Sequence, residues 1–137
     1  LIAVFLAWLA TAWIIFDNTL GPTLPVSPQA FLHDVFMTTP GQIMIVVGVG
    51  VGFLFALLAM MLSVVSFPLL LDRDTGLDTA IKTSFRAVLA NPGPMALWGF
   101  LVAAFLLVGM AVVFVGLVVA VPVLGHATWH LYRKLVI

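Results

Sequence analysis

Residues 41–71 read GQIMIVVGVGVGFLFALLAMMLSVVSFPLLL and contain no ionisable side chain. The run is 31 residues long, whereas about 20 apolar residues are enough to cross the hydrocarbon core of a bilayer. Charged groups are costly in that core, so an uncharged run of this length predicts a transmembrane helix. We expect the span over about residues 43–67, ended by Pro68.

The composition of the whole chain agrees with a membrane location. Of its 137 residues, 64% are hydrophobic and 7% are charged, against about a quarter charged in soluble domains. A soluble domain of this size buries only about 70% of its unfolded surface, so it would leave much apolar area in water. We therefore expect an all-α, polytopic transmembrane helical bundle with four spans and one or two interfacial helices.

Several classes of chemistry lack their usual residues. The chain has no Cys and no Glu, which removes thiolate metal ligands, cysteine nucleophiles and glutamate-based metal motifs. The formal net charge is zero, so there is no electrostatic reason to expect nucleic-acid binding. We expect a protein that is not an enzyme and that holds no cofactor.

The first span is expected at residues 1–16, which are apolar from the first residue onward. At 1.5 Å per residue this helix is about 24 Å long, short of the roughly 30 Å hydrocarbon core. No initiator Met and no basic flank precede it. We expect that residues 1–137 form a single membrane domain and that further sequence precedes them in a longer protein.

Residues 95–131 are too long for one crossing, because a single helix of that length would extend about 55 Å. They form either one helix kinked at Pro122 or two spans joined by a turn near residues 109–116. The distribution of charge favours two spans, over about residues 95–113 and 115–132.

The charge argument compares the two polar connections. Residues 68–93 hold three Lys or Arg, the C-terminus holds Arg133 and Lys134, and residues 17–40 hold none. The positive-inside rule then places the 68–93 connection and the C-terminus in the cytoplasm. Both are cytoplasmic only if an even number of crossings follows residue 93, which gives four spans in total.

Two short segments have the pattern of amphipathic helices that lie in the membrane interface. The first covers about residues 28–37 and begins after Ser27. The second covers about residues 76–90, where Asp78 and Lys82 are spaced for an ion pair on the polar face. The apolar face of the second segment consists of Leu77, Ile81, Phe85, Val88 and Leu89.

Gly48, Gly52 and Ala56 recur at every fourth residue of the central span. Small residues at this spacing form a stripe on which another membrane helix can approach closely. Gly50 lies on a different face. The stripe predicts a helix-packing contact, either within this chain or with a partner.

The segment HATWH places His126 and His130 four residues apart on one helix face. Two His at this spacing bind Zn or haem iron when further ligands complete the site. His33 is expected on the opposite side of the membrane, and Asp72 and Asp74 lie in a loop. We therefore expect no metal site, with the two His as the candidates if one exists.

Four side chains near the expected cytoplasmic surface are candidates for contact with lipid or a partner. Trp129 and Tyr132 are of the aromatic types that anchor helices at the membrane interface. Lys82 and Arg86 lie on the polar face of the second amphipathic segment.

Two strings, VVSFPLLLDRDTGLDTAIKTSFRAVLANPGPMALWG (residues 64–99) and PVLGHATWHLYRK (residues 122–134), resemble a family of uncharacterised bacterial integral membrane proteins, a domain of unknown function common in proteobacteria. The similarity covers nearly the whole chain, although residues 1–39 agree only in character. Family members are about twice as long, and this chain resembles their C-terminal half. The resemblance implies a proteobacterial inner membrane and transfers no catalytic residue.

These patterns predict a non-enzymatic accessory or assembly subunit that packs against a larger inner-membrane complex, respiratory or photosynthetic. Two alternatives stay open: part of a small-solute channel or transporter, and haem or metal binding through His126 and His130. The expected partners are the lipid bilayer and other membrane subunits. The expected location is the bacterial inner membrane, with several passes and a cytoplasmic C-terminus.

Overall fold

A computed structural model describes residues 1–21, 26–111 and 114–136 of the chain. These ranges form seven α-helices and contain no β-strand, which confirms the expected all-α class. In chain order the helices are α1 (Ile2–Thr19), α2 (Pro28–Met37), α3 (Thr39–Ser63), α4 (Ser66–Asp72), α5 (Leu77–Ala90), α6 (Pro92–Ala111) and α7 (Val115–Val136).

Four stretches in the described ranges are long and apolar enough to cross a membrane: α1, the consecutive α3 and α4, α6 and α7. They correspond in order to the four predicted spans. The two shorter segments predicted as amphipathic helices form α2 and α5. The structure therefore contains four membrane-length helical stretches with one short helix in each of the two polar connections.

The chain divides into two compact units, Leu1–Ala59 and Met60–Ile137. In the first unit, Thr38 shapes the corner between α2 and α3. The Thr38 hydroxyl donates to the Asp34 carbonyl and accepts from the Gly41 N–H at 3.2 Å. A Cβ added at Gly41 would overlap the backbone of Asp34 and Val35, so only glycine fits this corner.

The corner explains why α3 begins at Thr39, four residues before the predicted start at residue 43. The Thr38 hydroxyl accepts a hydrogen bond from one of the N–H groups that a first helical turn leaves without a partner. Pro40 lies in the same turn, where its missing N–H costs nothing and its fixed φ suits a helix.

The central helix also ends earlier than predicted, because α3 stops at Ser63 and α4 begins at Ser66. A proline ring clashes with the carbonyl four residues before it, which for Pro68 is the carbonyl of Val64. The helix therefore breaks at residues 64–65. Pro68 does not end the span at its own position but lies in the first turn of the next helix.

Residues 95–131 form two helices, as predicted, and not one helix kinked at Pro122. The second helix begins next to Phe114, whose φ of 63° lies in the left-handed region. The predicted end of the first of these spans, residue 113, lies outside the described residues. Pro122 is accommodated inside α7.

Two glycines allow α6 and α7 to meet closely beside their turn. A Cβ added at Gly116 would lie 2.7 Å from the Gly109 Cα, and one added at Gly109 would lie 2.8 Å from the Leu117 Cδ2. The Gly116 position requires glycine because the overlap is with backbone, whereas a Cβ at Gly109 would need the Leu117 side chain to move and would lie 3.2 Å from the Gly116 carbonyl carbon.

The buried core of the second unit lies at the end of the α6–α7 hairpin opposite this turn. Its position follows from Met95 at the start of α6 and Tyr132 near the end of α7, which belong to one cluster with residues of α4 and α5. In α6 and α7, only 11% of each membrane-length window is buried. The members of the cluster are Val64, Val65, Leu69, Ala80, Val88, Met95 and Tyr132.

Candidate functional site

One hydrogen bond at this core joins two residues that are distant in the sequence. The Tyr132 hydroxyl donates to Asp72 Oδ2 at 2.8 Å, and so connects the last turns of α7 to the last residue of α4. Tyr132 is 0% exposed, and a buried tyrosine hydroxyl normally finds such a partner. Asp72 Oδ2 also lies 3.7 Å from Arg73 Nε.

A second polar contact lies at the break between α3 and α4. The Val65 N–H donates to Ser84 Oγ at 3.2 Å, and both residues are 0% exposed. Beside it, the Ser66 hydroxyl donates to the Leu62 carbonyl. The Val65 N–H at the helix break is thus satisfied by a side chain of α5, as a buried N–H requires.

The face of α5 that the structure buries is not the predicted apolar face. The buried residues are Ala80, Ser84 and Val88, and only Val88 belongs to the predicted set. Leu77 and Leu89 are 64% and 67% exposed. The buried residues recur at every fourth position, the same spacing as the stripe on α3, and this spacing is the signal in the sequence that indicates the buried face.

The cationic residues of the chain are all in the second unit, and each is exposed. The predicted pair forms on α5, with Lys82 Nζ 2.7 Å from Asp78 Oδ2. Such an exposed pair adds little stability. The cations that make no ion pair within the described ranges are Arg86, Arg133 and Lys134, here called the unpaired cations.

The structure places the two aromatic candidates for interfacial contact side by side. The rings of Trp129 and Tyr132 are 5.6 Å apart between centroids. Tyr132 lies inside the core, whereas Trp129 is half-buried at its margin. Contact of Trp129, Lys82 and Arg86 with lipid or a partner stays a prediction.

The small-residue stripe on α3 is partly covered within the first unit. A Cβ added at Gly52 would lie 3.9 Å from Trp8 Nε1 of α1. One added at Gly48 would meet no heavy atom within 4 Å, and Ala56 is exposed. The stripe therefore has one position facing α1 and two positions left open.

The structure brings the two candidate metal ligands together but adds no third. The rings of His126 and His130 lie 6.2 Å apart between centroids, edge to face, and both residues are exposed. Within the described ranges no group of three His, Cys, Asp or Glu side chains is placed to hold a metal ion.

One depression in the described surface has a defined lining. It is open and has a volume of about 250 Å³. Its residues all come from the first turns of α3 and only two of them are polar, so it has no grouping of catalytic side chains. They are Thr39, Gln42, Ile43, Val46 and Val47.

Residues 1–72, just over half of the chain, match the model of a protein family described as "Predicted integral membrane protein (DUF2189)". The chain belongs to the DUF2189 family. It is therefore an integral membrane protein, and the resemblance to a membrane domain of unknown function is confirmed. No curated protein and no solved structure matches the chain.

The part of the chain matched to DUF2189 covers α1 to α4. It includes the small-residue stripe, the helix break and Asp72. Most of the two strings that carried the resemblance, residues 73–99 and 122–134, follows the matched part. The DUF2189 match thus rests on the first membrane helices and not on the HATWH segment.

Proposed function

We propose that this DUF2189 protein is a non-enzymatic accessory or assembly subunit that packs through its membrane helices against a larger inner-membrane complex. The observation that carries the proposal is the open part of the small-residue stripe on α3, at Gly48 and Ala56. A respiratory or photosynthetic complex of a bacterial inner membrane is the proposed host.

Exposure of apolar side chains does not by itself argue for a partner, because lipid tails cover such side chains equally well. No residue in the membrane-length windows of α1 and α3 is buried. Glycine is different, since it leaves a groove into which a neighbouring helix can fit its backbone. Trp8 lies beside the stripe at Gly52, whereas a Cβ added at Gly48 would meet no heavy atom within 4 Å, so the groove at Gly48 is available to a helix of another subunit.

The proposed orientation places the second unit's charged end and the C-terminus in the cytoplasm. The support is the location of every Lys and Arg in that unit, which the positive-inside rule associates with cytoplasmic segments. Residues 17–40, which have none, are then external. The scarcity of ionisable groups inside the membrane-length helices supports a packing role over ion-coupled transport.

Isolation of the tagged protein from its own membranes in mild detergent tests this proposal. We expect a defined set of membrane subunits in fixed ratio to the tagged chain. Gly48→Leu fills the groove and should lower their recovery at least tenfold. Gly50→Leu is the matched control, because Gly50 is equally open but lies about 160° away around the helix; it should leave recovery unchanged.

A tagged chain that purifies alone would contradict the proposal, as would equal effects of the two substitutions. The two alternatives from the sequence, a small-solute path and a metal or haem site at His126 and His130, are not favoured by any observation on the described residues.

A further inference from the structure

We infer that the charged end of the second unit binds the phosphate headgroups of anionic phospholipids through Arg86, Arg133 and Lys134. The inference concerns lipid and not a protein partner, so it holds or fails independently of the proposed accessory role.

The three unpaired cations lie on two helices that both contribute to the buried cluster of the second unit. Arg133 directly follows Tyr132, and Arg86 lies two residues before Val88. Tyr132 and Val88 are members of the same buried cluster. Each of the two helices therefore has exposed cations within two residues of a member of this cluster.

These three side chains differ from the other two cations in what surrounds them. Lys82 has Asp78 at 2.7 Å and Arg73 has Asp72 at 3.7 Å. Within the described ranges no carboxylate neutralises Arg86, Arg133 or Lys134. The end of the unit therefore has three positive charges available for an anionic ligand.

The side chains also point where headgroups lie. Arg86 is two residues from the buried Ser84, about 160° around α5, and so faces away from the core. Arg133 and Lys134 are in the last turn of α7, a membrane-length helix whose half-buried Trp129 lies one turn earlier. Trp and cationic side chains at a helix end mark the headgroup level of a bilayer.

Phosphate is the ligand that matches these groups. Arginine offers paired N–H donors that suit phosphate oxygens, and lysine adds a mobile point charge. A cation near an anionic membrane surface gains about 1 kcal/mol, equivalent to about fivefold in affinity. Three such cations favour an anionic phospholipid over a zwitterionic one by about a hundredfold at most, whereas free phosphate lacks the acyl chains that hold it beside α7.

Fluorescence quenching by brominated lipids measures this preference at Trp129. The full chain, with Trp8, Trp13 and Trp98 changed to Phe, is reconstituted with brominated phosphatidylglycerol or brominated phosphatidylcholine. We expect stronger quenching by the anionic lipid. The double variant Arg133→Gln/Lys134→Gln should lower the preference by about fivefold for each charge removed, and Arg86→Gln should lower it by about fivefold.

The matched control is Asp78→Asn/Lys82→Gln, which removes an ion pair and keeps the net charge. Because Asp78 neutralises Lys82, a lipid contact of Lys82 should not favour an anionic headgroup, so the preference should stay unchanged. Equal quenching by the two lipids would overturn the inference. So would a preference that is undiminished after the loss of Arg133 and Lys134, or one abolished by millimolar inorganic phosphate at constant ionic strength, which would identify free phosphate as the ligand.

A second measurement, made without the tryptophan substitutions, shows whether those substitutions alter the result by disturbing the structure. Native mass spectrometry of the otherwise unmodified chain, released from mixed-lipid nanodiscs, counts retained lipids. Retention of phosphatidylglycerol over phosphatidylcholine that is reduced in Arg133→Gln/Lys134→Gln and kept in the Asp78→Asn/Lys82→Gln control supports the inference. Equal retention of the two lipids by the unmodified chain overturns it.

Discussion

Tyr132 donates a hydrogen bond from its buried hydroxyl to Asp72, a residue 60 positions earlier in the chain. The bond connects the end of α7 to the end of α4, so the last membrane-length helix is held against the helix that follows the central one.

Tyr132→Phe keeps the ring in the core and removes only this hydrogen bond. We expect a loss of about 1 kcal/mol in unfolding free energy, because the exposed Asp72 carboxylate regains water. Tyr132→Ala also leaves a cavity and should cost about 3–5 kcal/mol. Reversible unfolding in detergent micelles measures both changes.

A double-mutant cycle with Asp72→Ala separates the bond from other effects of the two substitutions. The loss in the double variant should be smaller than the sum of the single losses. Strict additivity would show that the hydroxyl and the carboxylate do not interact.

Ser84→Ala leaves the Val65 N–H buried with no acceptor from α5. We expect a loss of about 1–3 kcal/mol, the penalty for an unsatisfied buried donor, together with faster hydrogen exchange of the Val65 amide. Thr83→Ala is the control, since its hydroxyl bonds only to the Thr79 carbonyl of its own helix; its effect should stay within about 0.5 kcal/mol. Equal losses in the two variants would argue against the capping role.

Gly116→Ala places a methyl group 2.7 Å from the Gly109 Cα and should force α6 and α7 apart beside their turn. Overpacking of this kind costs about 1–3 kcal/mol. Gly125→Ala is made in the same helix where a Cβ meets nothing within 4 Å, and there a better helix former should be neutral or stabilising by up to about 1 kcal/mol. Thermal unfolding of the two variants compares them; a similar shift in both would show that the close approach is not required.

The His126–His130 pair should hold no metal or haem in the purified protein. Two exposed imidazoles without a third ligand make an incomplete site. Elemental analysis and the visible absorption spectrum check this, with His130→Ala as the reference. A Soret band or stoichiometric zinc that disappears in His130→Ala would contradict the expectation.

Much of the fold could be predicted from the length and hydropathy of the apolar segments, because these two properties show whether a helix is surrounded by lipid or by water. The two-helix solution for residues 95–131 depended on charge alone, yet it agrees with α6 and α7. The predicted helix limits were less accurate where one residue changes the end of a helix several positions away. Thr38 begins α3 early by capping its first turn, and Pro68 ends it early by clashing four residues upstream.

The contacts that organise the second unit were not predictable from periodicity. Tyr132 was expected at the membrane interface, since aromatic residues near a helix end are typical of that location, but its exposure is 0%. Its role depends on Asp72, and no local pattern connects residues 60 positions apart. On α5, the large apolar residues indicated a face for the membrane interface, whereas hydropathy gives no sign that the small residues Ala80 and Ser84 are buried.

The helix break has a consequence for biogenesis. Val65 and Asp72 emerge from the ribosome before their partners Ser84 and Tyr132, which lie 19 and 60 residues further on. Residues 1–72, the part shared with the family, therefore contain one half of each contact and neither complete pair. The Val65–Ser84 contact therefore cannot form before residue 84 is synthesised, and the Asp72–Tyr132 contact cannot form before residue 132 is synthesised.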